Sequence, residues 1–341
     1  LDVARFYAFL GFSFIILFIV NLLWIILNLY LWITTGLQSM FQEMNFIERI
    51  YFSILLKWII LADVVWIGCL VTFVLKRKEY KTDEKYYLEN KPIEDPRISV
   101  VIPTYNEEEN VEKIVTDYIS QKYVEHVFVI DNNSADKTVE IAKQCGAKVI
   151  TKEINKGFGD SCIIGFTESL KTDANIIALT ECDGTYNAYD LKKMVPYLDN
   201  CDTVVGTRII QVLTEKGNQN GIFNTWGNFF IGKVIQAKYF SLAHMGIASY
   251  TDMGCAHRCF RRESLEHLLP NIKIDYYDKK IDGDGWMFLP YLHQVTIDNG
   301  LKTVEIPITF NKRNGESKSG AQRKLRGLEI GLKSIWFTLK S

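Results

Sequence analysis

Two carboxylates, Glu181 and Asp183, stand one residue apart directly after the apolar run Ile176 to Thr180. Alternate carboxylates just past a buried strand can converge on one hard divalent cation, and Mg²⁺ or Mn²⁺ suits carboxylates together with diphosphate oxygens. Such pairs are also common on surfaces, so their setting carries the argument. Four other apolar runs end in polar groups: Pro103-Thr-Tyr105-Asn-Glu107, Asp131-Asn-Asn-Ser134, Asn155-Lys156-Gly157-Phe-Gly159 and Gly206-Thr-Arg208. Each alone reads as a turn or a helix cap. Five such endings on one sheet edge would build a site. Glycine-rich nucleotide sites are excluded, because no glycine follows the first strand where G-x-G-x-x-G requires it and no Walker A sequence occurs. Cys255-Ala-His257-Arg-Cys259 offers three close ligands without a second pair, which does not match zinc spacing.

The elements that must position these residues alternate. Ile98–Ile102 is a short buried-strand pattern broken by Pro103, and Glu108–Ser120 has the spacing of a helix. Strands are expected at His126–Ile130, Lys148–Ile150, Asn175–Thr180 and Thr203–Val205, with helices at Asp136–Cys145, Asp160–Leu170 and Tyr189–Leu198. Alternating β and α elements imply an α/β, mostly parallel sheet covered on both faces, with ligands at the C-terminal strand ends.

The charge total is nearly balanced, 39 Lys+Arg against 40 Asp+Glu, so no basic excess points to nucleic acid. The distribution is uneven. Thirty-seven residues between Arg5 and Glu43 contain no Asp, Glu, Lys or Arg. About 20 apolar residues cross a bilayer, so two spans are expected, at about 6–34 and 51–75, forming a hairpin over 1–78. The second contains Lys57 and Asp63, with Lys57 read as snorkelling to an interface. The first run is too long for a signal peptide. Lys76, Arg77 and Lys78 follow the second span, which predicts a cytoplasmic side for everything beyond residue 76. Seven cysteines without a CxxC pair agree with a reducing side. Segments 224–250 and 321–341 look amphipathic and suit the headgroup level, with ordinary core packing as the plain alternative, and paired hairpins offer a route to a homo-oligomer.

The series VVIPTYNEEENV, IDNNSADKT, NKGFGDSCIIGF, ECDGTY and VVGTR resembles the inverting GT-A glycosyltransferases of family 2. More narrowly it is similar to the dolichol-phosphate-mannose and polyprenyl-phosphate-glucose synthase branch. The resemblance continues through TDMGCAHRCFRRE, DGW and EIPITFNKRNGESKS and covers roughly residues 97–320, after a linker at 79–96. It implies a GT-A, Rossmann-like catalytic domain. It also implies that Pro103, Tyr105, Glu107 and Asp131, with Asn155, Lys156 and Gly157, bind the nucleotide-sugar. Glu181 and Asp183 would replace the family's DxD metal motif, with Glu for the first Asp and Thr185 where some relatives carry a further Gln ligand. Arg208, Arg313, Ser317 and Lys318 would hold the acceptor phosphate.

A polyprenyl or dolichyl phosphate is already an anionic nucleophile, so it needs cations more than it needs a base. Arg suits bidentate phosphate contacts and Lys serves as a point charge, although Arg313 and Lys318 would equally suit a basic membrane-surface patch. The expected reaction is inverting, metal-dependent transfer from a UDP-sugar or GDP-mannose to the lipid phosphate. Two alternatives stand beside it: transfer to a hydroxyl with Asp284 as base, and a catalytically weak nucleotide-sugar-binding scaffold. In the lipid-phosphate reading Asp284 orders a loop or positions substrate.

Overall fold

The computed structural model describes residues 91–209, 215, 222–239, 250–273, 287–315 and 324–340, with scattered positions between 16 and 75. The chain divides into two units, Leu1–Glu79 with Gln236–Ile247, and Tyr80–Ile235 with Ala248–Ser341. In the first unit every described position between 16 and 30 and between 58 and 75 is helical, and Leu23, Trp24 and Trp58 are exposed. Among the described residues no helix is long and apolar enough to cross a membrane. The two expected spans fall largely outside those residues.

The second unit carries a seven-stranded sheet made of β1 (Ile98–Thr104), β2 (Val124–Asp131), β3 (Lys148–Thr151), β4 (Ile176–Leu179), β5 (Thr203–Thr207), β6 (Arg258–Arg261) and β7 (Thr303–Pro307). The order is β3-β2-β1-β4-β6-β5-β7. β1 is buried along its whole length, as expected of a central parallel strand covered on both faces. The helices of this unit are α1 (Val111–Ile119), α2 (Thr138–Gln144), α3 (Phe158–Ser169), α4 (Leu191–Met194), α6 (Arg262–Leu268), α7 (Phe288–Asp298) and α8 (Lys324–Lys340), together with α5 (Ile222–Lys238) up to Ile235. In α1 the buried Val111, Ile114, Val115 and Tyr118 repeat at helical spacing and form the face turned to the sheet.

The mostly parallel α/β sheet agrees with the sequence pattern, with two differences. First, the alternation is not strict: β6 runs antiparallel between β4 and β5, pairing Arg258 with Leu179 on one side and Val205 on the other. The segment leading into β6 therefore arrives at the same edge as the C-terminal ends of the parallel strands. Second, the helix expected over Tyr189–Leu198 is two 3₁₀ turns, Ala188–Asp190 and Val195–Asp199, around the single turn of α4. Pro196 lacks the N–H that a continuous α-helix needs there. Of the two amphipathic segments, α5 buries Ile231, Val234 and Ile235. α8 packs on α7 through Tyr291 and Phe337, whose rings lie 5.8 Å apart, and through Gln294, which donates to Thr338.

Immediately before β6, His257 is fully buried, stacked on Tyr186 with ring centroids 5.5 Å apart. Burial holds its pKa down at about 4, so the neutral ring belongs to the fold. A histidine with a depressed folded-state pKa contributes stability that is complete above its usual pKa near 6.5 and is lost as pH falls towards 4. Between pH 7 and pH 5 the loss amounts to about 2 kcal/mol. His257→Phe is expected to lose that much less stability over the same interval in urea titrations at each pH. An equal pH dependence in both proteins would contradict the assignment.

Candidate active site

The first wall of the site joins the loops after β1 and β2. Asn106 takes the left-handed conformation at φ 50°, and its backbone N–H donates to Ser134 Oγ at 2.8 Å while its side-chain oxygen accepts from Ala135 N at 2.8 Å. Glu107 N donates to Thr138 Oγ1 at 2.8 Å. These crossed bonds pin the PTYNE turn to the DNNSADKT turn. Pro103 is buried in β1, Tyr105 is exposed, and Asp131, wholly buried at the end of β2, accepts Ser134 N on both oxygens at 3.2 Å. The loop after β3 joins them through Asn155, whose Oδ1 accepts from Asn132 Nδ2 at 2.5 Å and from Gly157 N at 3.0 Å. Lys156 is exposed, its N–H bonded to Asn132 Oδ1 at 3.1 Å. The donor residues expected from sequence are thus brought to one edge.

The two carboxylates expected to hold a metal follow β4. Asp183 is buried and its Oδ1 accepts both Thr185 N at 3.0 Å and Thr185 Oγ1 at 2.5 Å. Gly184 between them sits at φ +77°, which a side chain would strain. Thr185 is therefore a support for the carboxylate, and its hydroxyl is spent on Asp183. Glu181 is half-buried. Burial first and the neighbouring Asp183 charge second raise its pKa to about 7, opposed by Arg313 and Arg208. Two crowded carboxyls of this kind are a donor set suited to a dication, which would relieve both the burial cost and the mutual repulsion. The cation already in the cluster is Arg313, whose guanidinium pairs with Asp183 Oδ2. The residues after β7 are drawn in by backbone bonds, Asn311 N to Thr185 O at 2.8 Å and Asn314 N to Asp183 O at 3.2 Å.

Arg208, one residue beyond β5, does not stand as an isolated phosphate-binding cation. Its Nε and one terminal nitrogen donate to the two oxygens of Asp252 at 2.6 and 2.7 Å, and its guanidinium lies 5.0 Å over the Phe310 ring. Burial is the largest single influence and would lower its pKa, but the Asp252 carboxylate and its hydrogen bonds, with Tyr186 and Cys255, together outweigh it and keep the group charged. Asp252 and the Glu305 behind it do not stand out by type and spacing. Their only signal in the sequence is their place in the stretches TDMG and EIPI, polar residues at the entrance to and within apolar runs. Asp284, Ser317 and Lys318 lie outside the described residues. Among the described residues, Glu125, His126 and Asp173 also bring ligand atoms within 4.8 Å of one another, but Asp173 is paired with Arg97 at 2.8 Å.

Known proteins resemble this chain in sequence over this edge. The family model described as Glycosyl transferase family 2 matches residues 99–269. Polyprenol monophosphomannose synthase of Mycolicibacterium smegmatis is 28 % identical over 230 residues, which cover 65 % of this chain and 80 % of that protein. Dolichyl-phosphate hexose transferase of Haloferax volcanii is 27 % identical over 224 residues, covering 65 % and 86 %. A crystal structure of glucosyl-3-phosphoglycerate synthase from Mycobacterium tuberculosis with Mn²⁺, UDP and phosphoglyceric acid is similar over 77 % of this chain and 84 % of its own, at 15 % identity and a TM-score of 0.49. The family match runs from β1 to the turn after α6, takes in half of the chain, and includes every strand end that carries the carboxylates, so the protein belongs to glycosyl transferase family 2 and is a glycosyltransferase.

Proposed function

We propose that this glycosyltransferase moves a sugar from a nucleotide-sugar to a polyprenyl or dolichyl monophosphate, with inversion, at the cytoplasmic face of a membrane. The observation that carries this reading is the gathering of cations beside the carboxylates at one sheet edge: Arg313 contacts Asp183 directly, and Arg208 is held in a fixed fork on Asp252 just past the parallel strand β5. A site with acid groups for a metal-bound diphosphate and arginines beside them is suited to two anionic substrates. The names of the two curated relatives, one a polyprenol monophosphomannose synthase and the other a dolichyl-phosphate hexose transferase, agree with a lipid phosphate as acceptor.

In the proposed reaction an acceptor phosphate oxygen attacks the anomeric carbon as the bond from that carbon to the nucleoside diphosphate breaks, and the diphosphate leaves with the bonding electrons. The acceptor arrives already ionised, so no side chain has to remove a proton. Arg208 and Arg313 orient the phosphate, and the interlocked loops after β1 and β2 hold the nucleoside. Glu181 and Asp183 are the residues to hold Mg²⁺ or Mn²⁺, which when bound would neutralise charge on the departing diphosphate. An α-linked donor would give a β-linked product.

The membrane reading draws on α8. Its buried face includes Ser334, Phe337 and Thr338, whereas Leu328, Leu332 and Trp336 form a second stripe, 50, 59 and 68 % exposed. An apolar stripe on a helix that also carries Lys324, Arg326, Lys333 and Lys340 suits an anionic lipid surface. Changing Leu332 and Trp336 together to Asp is expected to lower turnover of undecaprenyl phosphate in vesicles by about tenfold. Turnover of water-soluble citronellyl phosphate should stay unchanged, and an equal loss with both acceptors would count against the lipid-facing role.

The test of the function is a screen of radiolabelled UDP-glucose, other UDP-sugars and GDP-mannose against undecaprenyl and dolichyl phosphate, with and without Mg²⁺ or Mn²⁺. Metal-dependent labelling of the lipid phosphate is expected. Labelling of polyprenol or diacylglycerol in its place would overturn the acceptor assignment.

A further inference from the structure

Behind Arg208 lies a chain of carboxylates that begins in the middle of β7. Glu305 pairs in register with Val205 of β5. Its two oxygens accept Thr251 N at 3.0 and 2.8 Å, Thr251 Oγ1 at 2.8 Å and Asp252 N at 3.1 Å. Thr251 Oγ1 also lies 2.9 Å from Thr207 Oγ1 at the end of β5. The backbone carrying Asp252 is thus tied to two strands. Asp252, fully buried, accepts the Arg208 backbone N–H at 3.0 Å as well as the two guanidinium bonds, and receives Gly254 N at 3.2 Å. A Cβ at residue 254 would stand 3.0 Å from the Arg208 terminal nitrogen, so the fork is bounded on that side as well as by the Phe310 ring.

A long arginine side chain ordinarily samples many rotamers, and here the Asp252 oxygens and the Phe310 ring select one. A buried ion pair is a weak source of fold stability, so geometry is the larger consequence. The site it serves is at the same edge: β5, which Arg208 follows, runs parallel to β4, which Glu181 and Asp183 follow, and the Phe310 ring under the guanidinium lies 6.0 Å from the ring of Tyr186, three residues beyond Asp183. We infer that Asp252 and Glu305 are positioning residues of the transfer reaction, a two-carboxylate relay that fixes the Arg208 fork where the acceptor phosphate is received. This inference rests on the proposed role of Arg208 towards the acceptor. The relay acts before substrate arrives, so the cation does not have to be ordered during binding.

The test combines kinetics with a double-mutant cycle on the full chain, using undecaprenyl phosphate in detergent micelles and whichever of UDP-glucose or GDP-mannose is turned over. Asp252→Asn keeps the shape and removes the charge. It is expected to raise the acceptor KM by about tenfold and leave the donor KM within about twofold. In an Arg208→Lys background, which keeps a charge without the fork, the same substitution should cost less than about twofold more. Glu305→Gln, one step further back, should raise the acceptor KM by about threefold to fivefold and serves as the second variant if Asp252→Asn folds poorly. Equal losses on the two backgrounds, or donor and acceptor KM values rising together, would overturn the relay. Should Arg208→Lys alone raise only the donor KM, the acceptor reading of Arg208 fails, while the coupling between residues 208 and 252 still decides whether the relay exists.

Discussion

Asp183→Asn is expected to lower turnover on the order of 10³-fold and to weaken Mn²⁺ binding strongly, with little change in Tm. The carboxamide has nearly the shape of the carboxylate. Its oxygen can still accept from Thr185 N and Oγ1, which now hold Oδ1 at 3.0 and 2.5 Å, and the backbone bond from Asn314 N to Asp183 O at 3.2 Å is untouched. What disappears is the negative charge on the side that meets Arg313. The same charge contributes to the raised pKa of Glu181 near 7, although burial is the larger cause. Titration calorimetry with Mn²⁺, with and without UDP or GDP, measures the binding loss independently of turnover. Glu181→Gln should change turnover in the same direction with a smaller effect, because Glu181 is half-buried and Asp183 is the more enclosed. Undiminished turnover in Asp183→Asn would remove Asp183 from the metal site.

The legibility of this site differs from residue to residue for physical reasons. β1 to β5 are visible in the sequence as short apolar runs followed by polar or turn residues; β1, β4 and β5 are buried along their whole length, so no alternation confuses the pattern, whereas β2 and β3 include exposed positions and show only the apolar run itself. The polar closures then mark the ligand edge. β6 is not visible, because Arg258-Cys-Phe-Arg261 places a charged residue at each end of a four-residue strand. Arg258 is 1 % exposed and donates to the Cys255 carbonyl at 2.6 Å, a tertiary solution that no local pattern announces. Asp252 and Glu305 are hidden for a related reason: they serve backbone N–H groups and an arginine that lie 44 to 54 residues away in sequence. Thr185 is legible as a position but not as a role. Its hydroxyl could face a cation or Asp183, and the turn at Gly184 directs it to Asp183.

Gly165→Leu is expected to prevent folding of the second unit, and the milder Gly165→Ala to destabilise it by about 1–3 kcal/mol. In most exposed helices alanine for glycine would gain about 1 kcal/mol of helix propensity. At position 165 of α3 a Cβ would lie 2.1 Å from Val101 Cγ1 and 3.2 Å from Ile130 Cγ1, so the helix would have to lift from β1 and β2. Both neighbours are fully buried in central strands and have no room to retreat. The first turn of the helix is closed as well, since a Cβ at Gly159 would stand 2.8 Å from the Phe288 ring of α7. α3 is therefore fixed in depth at both positions, and its N-terminal turn follows Gly157, which the Asn132–Asn155 pair ties to the nucleotide edge. A displaced helix should thus damage donor binding along with stability. Val101→Ala removes the methyl group that collides and is expected to recover roughly half of the loss when combined with Gly165→Ala, although alone it destabilises by about 1–3 kcal/mol through the cavity it leaves. Urea denaturation of the two single variants and the double variant measures this coupling, and additive losses would show that contact with Val101 is not what requires glycine at this position.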